Sequence, residues 1–589
     1  MKRKHSYFLW VLLLIALIPL FDFFKPGLPI THDGQDHVAR IANFYQSLAE
    51  GNLIPRWAAN LNWGFGHPIL MFLYPLPSYF GSFFHFLGFS LIDSTKIVFG
   101  LGFVLSGVFM YLWVREFWGE EAGFVSGLFY MFAPYRFVNL YVRGAIGENL
   151  AFVWLPLICW FLLRLSKDGR WRYLTGGALS LTALILSHNA LSLMFLPFIL
   201  AYAAFLAYST VQENPDFKIG DELNKRKHSS FGMKPHTLVW GECYSSSSGR
   251  RLSFIINCSL LIIFGLMVSA FFWLPAFLEG KYTLRDIVTA GEYVDRFRPL
   301  KDFVLSPWSY GGSSEISVQI GILHWLAFLL GFYTLFRFFK KKSKDWLLIG
   351  GLVLSFMVVL FLLLRISLPV WQSVTILQKF QFPWRFLSVM VFIPAILAGS
   401  FVSLWAGKNK LWLALTAAIL LLLINSHYWH AKDFSYKDGS FYSGVYAGTT
   451  DTGESSPRWS VRFMEKHPEV PLEIIGGKAE VEAVSRSTTR HEFQVIAEMP
   501  ARLVENTLYF PGWDIFVDGK PIEIEFQDPT HRGLMTFSLS PGKHQVVARF
   551  RETKLRLFAD LVSLLGIGVL VLGSIIGDYK QDLFLASSK

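Results

Sequence analysis

The chain has 589 residues, 53% of them apolar and 17% aromatic, with only 16% charged and a formal net charge of +11. Soluble domains carry about 25% charged residues, and a globular protein of this make-up would have too little polar surface to cover its core. Soluble, fibrous and disordered classes are thereby excluded, and a polytopic membrane protein remains.

A membrane-crossing helix needs about 20 mostly apolar residues. On that measure the sequence predicts twelve spans, at 7–24, 95–114, 119–138, 147–166, 173–188, 189–210, 252–277, 317–336, 346–364, 386–405, 411–426 and 557–577. The first follows Met1-Lys2-Arg3-Lys4 as a signal peptide would, but it has no small-residue cleavage site and is read as a retained helix. With a cytoplasmic N-terminus, the inside segments 1–6, 115–121, 164–172, 211–251, 337–345, 406–410 and 578–589 hold 24 Lys/Arg against 12 Asp/Glu. The rest of the chain holds 30 against 31, so the whole positive excess lies on one side. That is the positive-inside pattern, clearest in Arg164–Arg172 and Arg337–Lys344, and it explains the basic balance without a nucleic-acid partner.

This orientation places both termini in the cytoplasm, together with the Ser-rich loop 211–251, which reads as disordered. Segments 25–94, 139–146, 278–316 and 365–385 face outward. Residues 1–426 form the membrane domain, 427–556 an extracytoplasmic domain, and 557–589 the last helix with a cytoplasmic tail. Cys159 and Cys258 fall in apolar runs and Cys243 in the cytoplasmic loop, so neither a disulfide nor a metal spacing is expected.

The first outer segment opens on Thr31-His32-Asp33-Gly34-Gln35-Asp36-His37-Val38-Ala39-Arg40. Ionisable groups this close to the membrane are costly and point to function. If 36–49 is helical, Asp33 stands at its N-terminus, and Asp36–Arg40 and Asp33–His37 are both spaced i, i+4. Asp33 is then a candidate general base, with His37 or Arg40 setting its ionisation and Asp36 as a second carboxylate. The plainer alternative is a helix cap beside an ordinary surface ion pair. Asp36 and His37 also suit a divalent metal. Further on, Asn62–Pro68 and Tyr74-Pro75-Leu76-Pro77 read as a re-entrant or interfacial segment, from their glycines and prolines.

The second cluster runs from Tyr135-Arg136 through Tyr141, Arg143 and Glu148 to Asn149. Arg143 suits a phosphate clamp oriented by Glu148; the alternative is an arginine snorkelling to the interface. His188 sits at a helix junction, as a substrate contact or a packed imidazole. Gln381-Phe382-Pro383-Trp384-Arg385 fits an interfacial anchor, and equally an aromatic wall and cation beside a lipid phosphate.

From 471 to 551 the hydrophobic period changes to two, with strands predicted around 473–475, 479–484, 491–496 and 521–526. Asp518-Gly519 and Pro541-Gly542 supply turns. An antiparallel β-sandwich follows, serving as a lid, a spacer or an acceptor-binding surface. The phosphate-loop, H-E-x-x-H and G-x-S-x-G motifs are missing, and no pair of matching halves suggests an inverted-repeat transporter.

The Asp-His cluster, G-x-G-x-P (Gly64 to Pro68), Y-P-x-P (Tyr74 to Pro77), Y-x-R-G-A-x-G-E (Tyr141 to Glu148) and Q-F-P-W-R (Gln381 to Arg385) resemble the prokaryotic membrane proteins labelled 6-pyruvoyl-tetrahydropterin-synthase-related. The stretch from Tyr509-Phe510-Pro511-Gly512-Trp513 through Val517-Asp518-Gly519-Lys520 to Pro541-Gly542-Lys543-His544 is similar to the end of YfhO-type proteins. A soluble pterin synthase needs a zinc site of clustered histidines in a compact α/β fold, which this chain does not offer. The resemblance implies instead the GT-C glycosyltransferase superfamily: many transmembrane helices, a polyprenyl-phosphate sugar donor and a catalytic Asp in the first outer loop. By position that Asp is Asp33, with Asp36 second, and His32, Asp33, Asp36 and His37 follow no single strict superfamily pattern.

The activity this implies is inverting transfer of sugar to a lipid or cell-envelope glycan acceptor. Asp33, Asp36 and His37 would lie at the reacting centre; Arg40, Tyr141, Arg143, Glu148, His188, Gln381, Trp384 and Arg385 would line the substrate site. A flippase for lipid-linked glycans, or a non-catalytic envelope scaffold, are the alternatives.

Overall fold

The protein is described by a computed structural model covering residues 7–211, 247–311 and 316–587. Most of the Ser-rich loop, with Cys243, lies outside the described residues. Among them, ten helices are long and apolar enough to cross a membrane: Tyr7–Phe24, Leu91–Trp118, Ile146–Asp168, Asn189–Ser209, Arg251–Val268, Ile322–Lys340, Asp345–Leu363, Pro383–Val402, Gly407–Tyr428 and Lys554–Gly577. Two expected spans fall short of that length. Segment 173–188 lies in the 17-residue helix Trp171–Ser187.

Segment 119–138 holds only the 12-residue helix Glu120–Met131, and proline explains why. Pro134 forces Ala133 into extended backbone, and the chain restarts as Pro134–Phe137 followed by a π-helical turn, Val138–Arg143. The short helix is buried from Ala122 to Met131. Gly127 lies so close to the Gly107 carbonyl that a Cβ would stand 2.9 Å from it, and such small residues let apolar helices approach. Cys159 and Cys258 are both buried free thiols.

The C-terminal region carries two antiparallel sheets. The five-stranded sheet runs in the order Ala479–Arg486, Arg490–Ala497, Gly542–Phe550, Trp513–Val517, Lys520–Ile522. The three-stranded sheet runs Leu472–Gly476, Ala501–Leu508, Leu534–Leu539. The alternation seen at 521–526 ends as a strand at Ile522, because Glu525 crosses to bridge Thr536 of the smaller sheet. Phe493, Val495, Leu503, Met535, Phe537 and Val546 from both sheets share one apolar core.

That core also takes in Trp57, Phe65, Met71 and Phe72 from the segment after the first helix. Trp57 meets Trp513 edge to face at 5.5 Å, and the Leu508 amide donates to the Phe65 carbonyl at 2.9 Å. The glycine- and proline-rich stretch is therefore the dock for the β-region. Charge reinforces the joint: Arg56 donates to Glu552 (2.8 Å) and Asp560 (2.7 Å), while Arg556 donates to Glu279 (2.9 Å). Breaking one partner of such a buried network costs about 3–5 kcal/mol.

Candidate functional site

The loop carrying the Asp-His cluster is laid down by backbone pairing. The His32 and Asp33 amides donate to the carbonyls of Val142 (3.0 Å) and Arg143 (2.9 Å), just where the π-helical turn ends. Gly144 follows in the left-handed region, at φ 66°, and a Cβ there would stand 2.2 Å from Thr31 Oγ1. Only glycine suits both the backbone angle and the closeness. Two loops more than a hundred residues apart are thus pressed together, with Asp33 beside Arg143.

Asp33 occupies the N-cap position of helix Gly34–Ala49, but its side chain makes no capping hydrogen bond. Thr31 Oγ1 takes the Gly34 amide instead, at 3.1 Å. The carboxylate is open to solvent, yet protein surrounds it on most sides. Burial therefore raises its pKa and Asp36 adds to the rise, while Arg143, Arg40 and His32 oppose it. A carboxylate that is accessible and readily protonated has the properties of a general base.

The other members of the cluster turn away. Asp36 accepts from the Tyr446 hydroxyl at 2.7 Å. Arg40 reaches Thr450 through Nε and Nη2 and donates to His37 Nδ1 at 2.9 Å. Burial and the adjacent Arg40 hold His37 neutral, its pKa lowered well below the usual imidazole range. The expected Asp36–Arg40 surface pair gives way to a strap, residues 446–458, which offers both side chains better partners. The strap's Tyr446 amide also donates to the Asn60 carbonyl, and its Ser456 carbonyl accepts from the Leu284 amide. Among the described residues no three His, Cys, Asp or Glu side chains gather closely enough to hold a metal.

Arg143 and Glu148 meet at 2.8 Å, with Glu148 wholly buried. Arg143 Nη1 also donates to Asn139 Oδ1 (2.8 Å) and Tyr135 Oη (3.2 Å); Tyr135 in turn donates to Glu148 Oε2 at 2.9 Å. The guanidinium lies over the Trp384 ring, 4.9 Å from its centroid. Arg143 is thus a buried cation paired through Nη1 and packed on an aromatic ring, not a snorkelling one. Arg136, two turns earlier, is buried on the face of Phe152 and donates to Ser106 and Asn149, fixing the start of helix Ile146–Asp168.

Arg385 differs from Arg143. Its Nη1 donates to the Phe380 carbonyl (3.1 Å) and Gln381 Oε1 (3.2 Å), and its buried Nε has no acceptor among the described residues. It lies within electrostatic reach of Glu148 and Arg143, and among the described residues no carboxylate stands at ion-pair distance from it. Gln381 sits in left-handed backbone, at φ 61°, and its amide nitrogen donates to Glu454 of the strap. Phe382 stacks on Trp384 at 5.2 Å. His188 Nε2 stands 3.9 Å from Glu148 Oε1, and its ring stacks on Tyr74 at 5.1 Å. Tyr141 does not join: its hydroxyl donates to the Pro19 carbonyl and its ring stacks on Phe23.

Asp33, Arg143, Glu148, His188, Gln381, Trp384 and Arg385 therefore gather at one end of the bundle, under the strap. Sequence reasoning missed Tyr135 and Asn139 as the acceptors of Arg143 Nη1, and Tyr74 as the ring beside His188; the Y-P-x-P motif was the available signal for the last.

Residues 67–215 match the family described as dolichyl-phosphate-mannose-protein mannosyltransferase. The chain is 25% identical over 210 residues to an uncharacterized protein of Lactococcus lactis subsp. cremoris (strain MG1363), a match spanning 35% of this chain and 34% of the relative. Its fold is similar to the oligosaccharyltransferase of Archaeoglobus fulgidus in the apo form, with TM-score 0.42, 14% identity, and 77% of this chain and 61% of that one covered. For the same enzyme in complex with Zn and sulfate the values are 0.39, 14%, 75% and 53%. The chain thus spans less than two thirds of the length of the relatives it matches.

Proposed function

We propose that this chain is a multi-pass membrane glycosyltransferase of the GT-C type, moving a sugar from a polyprenyl-phosphate donor to an extracytoplasmic lipid or envelope glycan. The observation that carries the reading is the meeting of a solvent-open Asp33, its pKa raised by burial, with Arg143–Glu148 and the unsaturated Arg385. The mannosyltransferase family match over 67–215, which takes in Arg143, Glu148 and His188, supports it. The motifs that resemble the pterin-synthase-related membrane proteins carry Asp33, Arg143, Glu148 and Arg385, which fits one shared site. In this reading the strap and the β-region lie outside the cell, within the domain 427–556, and the basic segments lie in the cytoplasm.

The chemistry is one displacement. The acceptor hydroxyl oxygen attacks the anomeric carbon and its proton passes to Asp33. The bond from that carbon to the phosphate oxygen breaks on the opposite face, inverting the centre, and the electron pair leaves with the lipid phosphate. Arg385 holds that phosphate, because its buried Nε has no acceptor among the described residues, whereas Arg143 is already paired with Glu148. Arg143 packs between Glu148 and the Trp384 ring. His37 and Arg40 set the pose of the helix behind Asp33.

The test is transfer of radiolabelled sugar from synthetic polyprenyl-phosphate donors in membranes containing the wild type or Asp33→Asn. Loss of transfer with unchanged expression and a melting temperature no lower than the wild type's supports the assignment; full activity in the variant removes Asp33 from the mechanism.

A further inference from the structure

Tyr74 belongs to none of the roles above, yet its position is closely specified. Its ring lies directly over Gly147: a Cβ there would stand 2.3 Å from Tyr74 Cζ and 2.6 Å from the Ser187 carbonyl oxygen. On its other flank the ring stacks on His188 at 5.1 Å. The chain on either side is pinned as well. Asn189 Nδ2 donates to the Phe72 carbonyl at 3.1 Å, and Pro75 turns the backbone into the next helix, Leu76–Phe86.

The phenol so placed stands within electrostatic reach of Arg40, Asp33, Glu148 and Arg143 together. Its hydroxyl makes no hydrogen bond to another described residue. Burial lifts its pKa to about 12, so the group stays protonated and available as a donor at any physiological pH. The half-buried ring cannot move aside without leaving Gly147 and His188.

An inverting displacement puts nucleophile, anomeric carbon and leaving group in line. Under the transferase reading, on which this inference rests, Asp33 marks the nucleophile end and the Glu148–Arg143–Arg385 group marks the phosphate end. Packed on Gly147 and His188, next to Glu148 and with Asp33 in electrostatic reach, Tyr74 borders the space that the sugar would occupy. We infer that Tyr74 is a sugar-contacting residue whose phenol O–H donates to a hydroxyl of the transferred hexose and thereby selects among epimers. Gly147 is the residue that makes room for it.

The experiment compares undecaprenyl-phosphate-linked glucose, galactose and mannose as donors for the wild type and Tyr74→Phe, which keeps the ring and removes only the hydroxyl. The expected result is a fall of about ten- to a hundredfold in kcat/KM for the best wild-type hexose, the range for losing a hydrogen bond at a desolvated site. The ratios between epimers should also shrink to within about threefold, since the discriminating contact is gone. A shrunken ratio is a readout that a merely structural role would not give. Unchanged ratios in an active, normally melting variant overturn the Tyr74 assignment alone. A wild type that transfers none of the three hexoses overturns the transferase reading beneath it.

Discussion

Arg143 and Arg385 sit on the same stacked pair of rings, Trp384 and Phe382, yet of the two only Arg143 has a carboxylate at ion-pair distance among the described residues, Glu148 at 2.8 Å. Arg143 is part of the frame, whereas the buried Nε of Arg385 has no acceptor among the described residues.

That asymmetry separates stability from binding. Glu148→Gln leaves Arg143 buried without its counter-charge and should cost about 3–5 kcal/mol, read as a large drop in melting temperature. Arg385→Gln should melt close to the wild type, and bind a polyprenyl phosphate at least about tenfold more weakly in a flotation or quenching assay.

The pH profile follows from Asp33. Its pKa is raised in the folded chain, so a base role requires activity to fall, as pH is lowered, at a higher pH than an ordinary aspartate gives. The sign for stability is opposite to that of a salt-bridged carboxylate. Between its unfolded and its raised folded pKa the native state holds more protons, so stability declines as pH rises through that window. Asp33→Asn should therefore melt slightly higher than the wild type at pH 7 and abolish transfer. Titration of activity and of melting temperature checks both halves.

Gly144→Ala introduces a methyl group at φ 66°, 2.2 Å from Thr31 Oγ1, which must push the first loop away from Arg143. A loss of about 1–3 kcal/mol is expected from the backbone conformation, together with loss of transfer through displacement of Asp33. Calorimetry and the transfer assay on the same preparation test this.

Tyr446→Phe removes the hydroxyl that Asp36 accepts at 2.7 Å and should destabilise the strap by about 1.5–3 kcal/mol. Limited proteolysis should then cut between 446 and 458 faster than in the wild type, while cleavage elsewhere is unchanged.

The membrane spans were legible because burial in lipid demands long apolar runs, and most predicted boundaries lie within a few residues of the helices. The shortfall at 119–138 came from Pro134, whose ring imposes a break that hydropathy averages away. The strand Ala501–Leu508 is almost wholly buried on both faces, Glu505 included, so it shows no clean alternation. The clusters at Asp33, Arg143 and Arg385 could be picked out singly as costly charges near the membrane. Their partners could not. Asp36 and Arg40 are spaced for each other along a helix, yet tertiary groups at Tyr446 and Thr450 outcompete that local pair.

Those two bonds join positions 410 residues apart in the chain. At a ribosome's pace of about 5–20 residues per second, roughly 20–80 s pass between emergence of the helix bearing Asp36 and Arg40 and arrival of their partners. The helix bearing Asp36 and Arg40 is therefore made and folded for that interval without the groups that hold those two side chains in the finished chain. A stop codon between positions 386 and 446 would leave Arg40, Arg143 and Arg385 in the chain and remove the partners of Asp36 and Arg40.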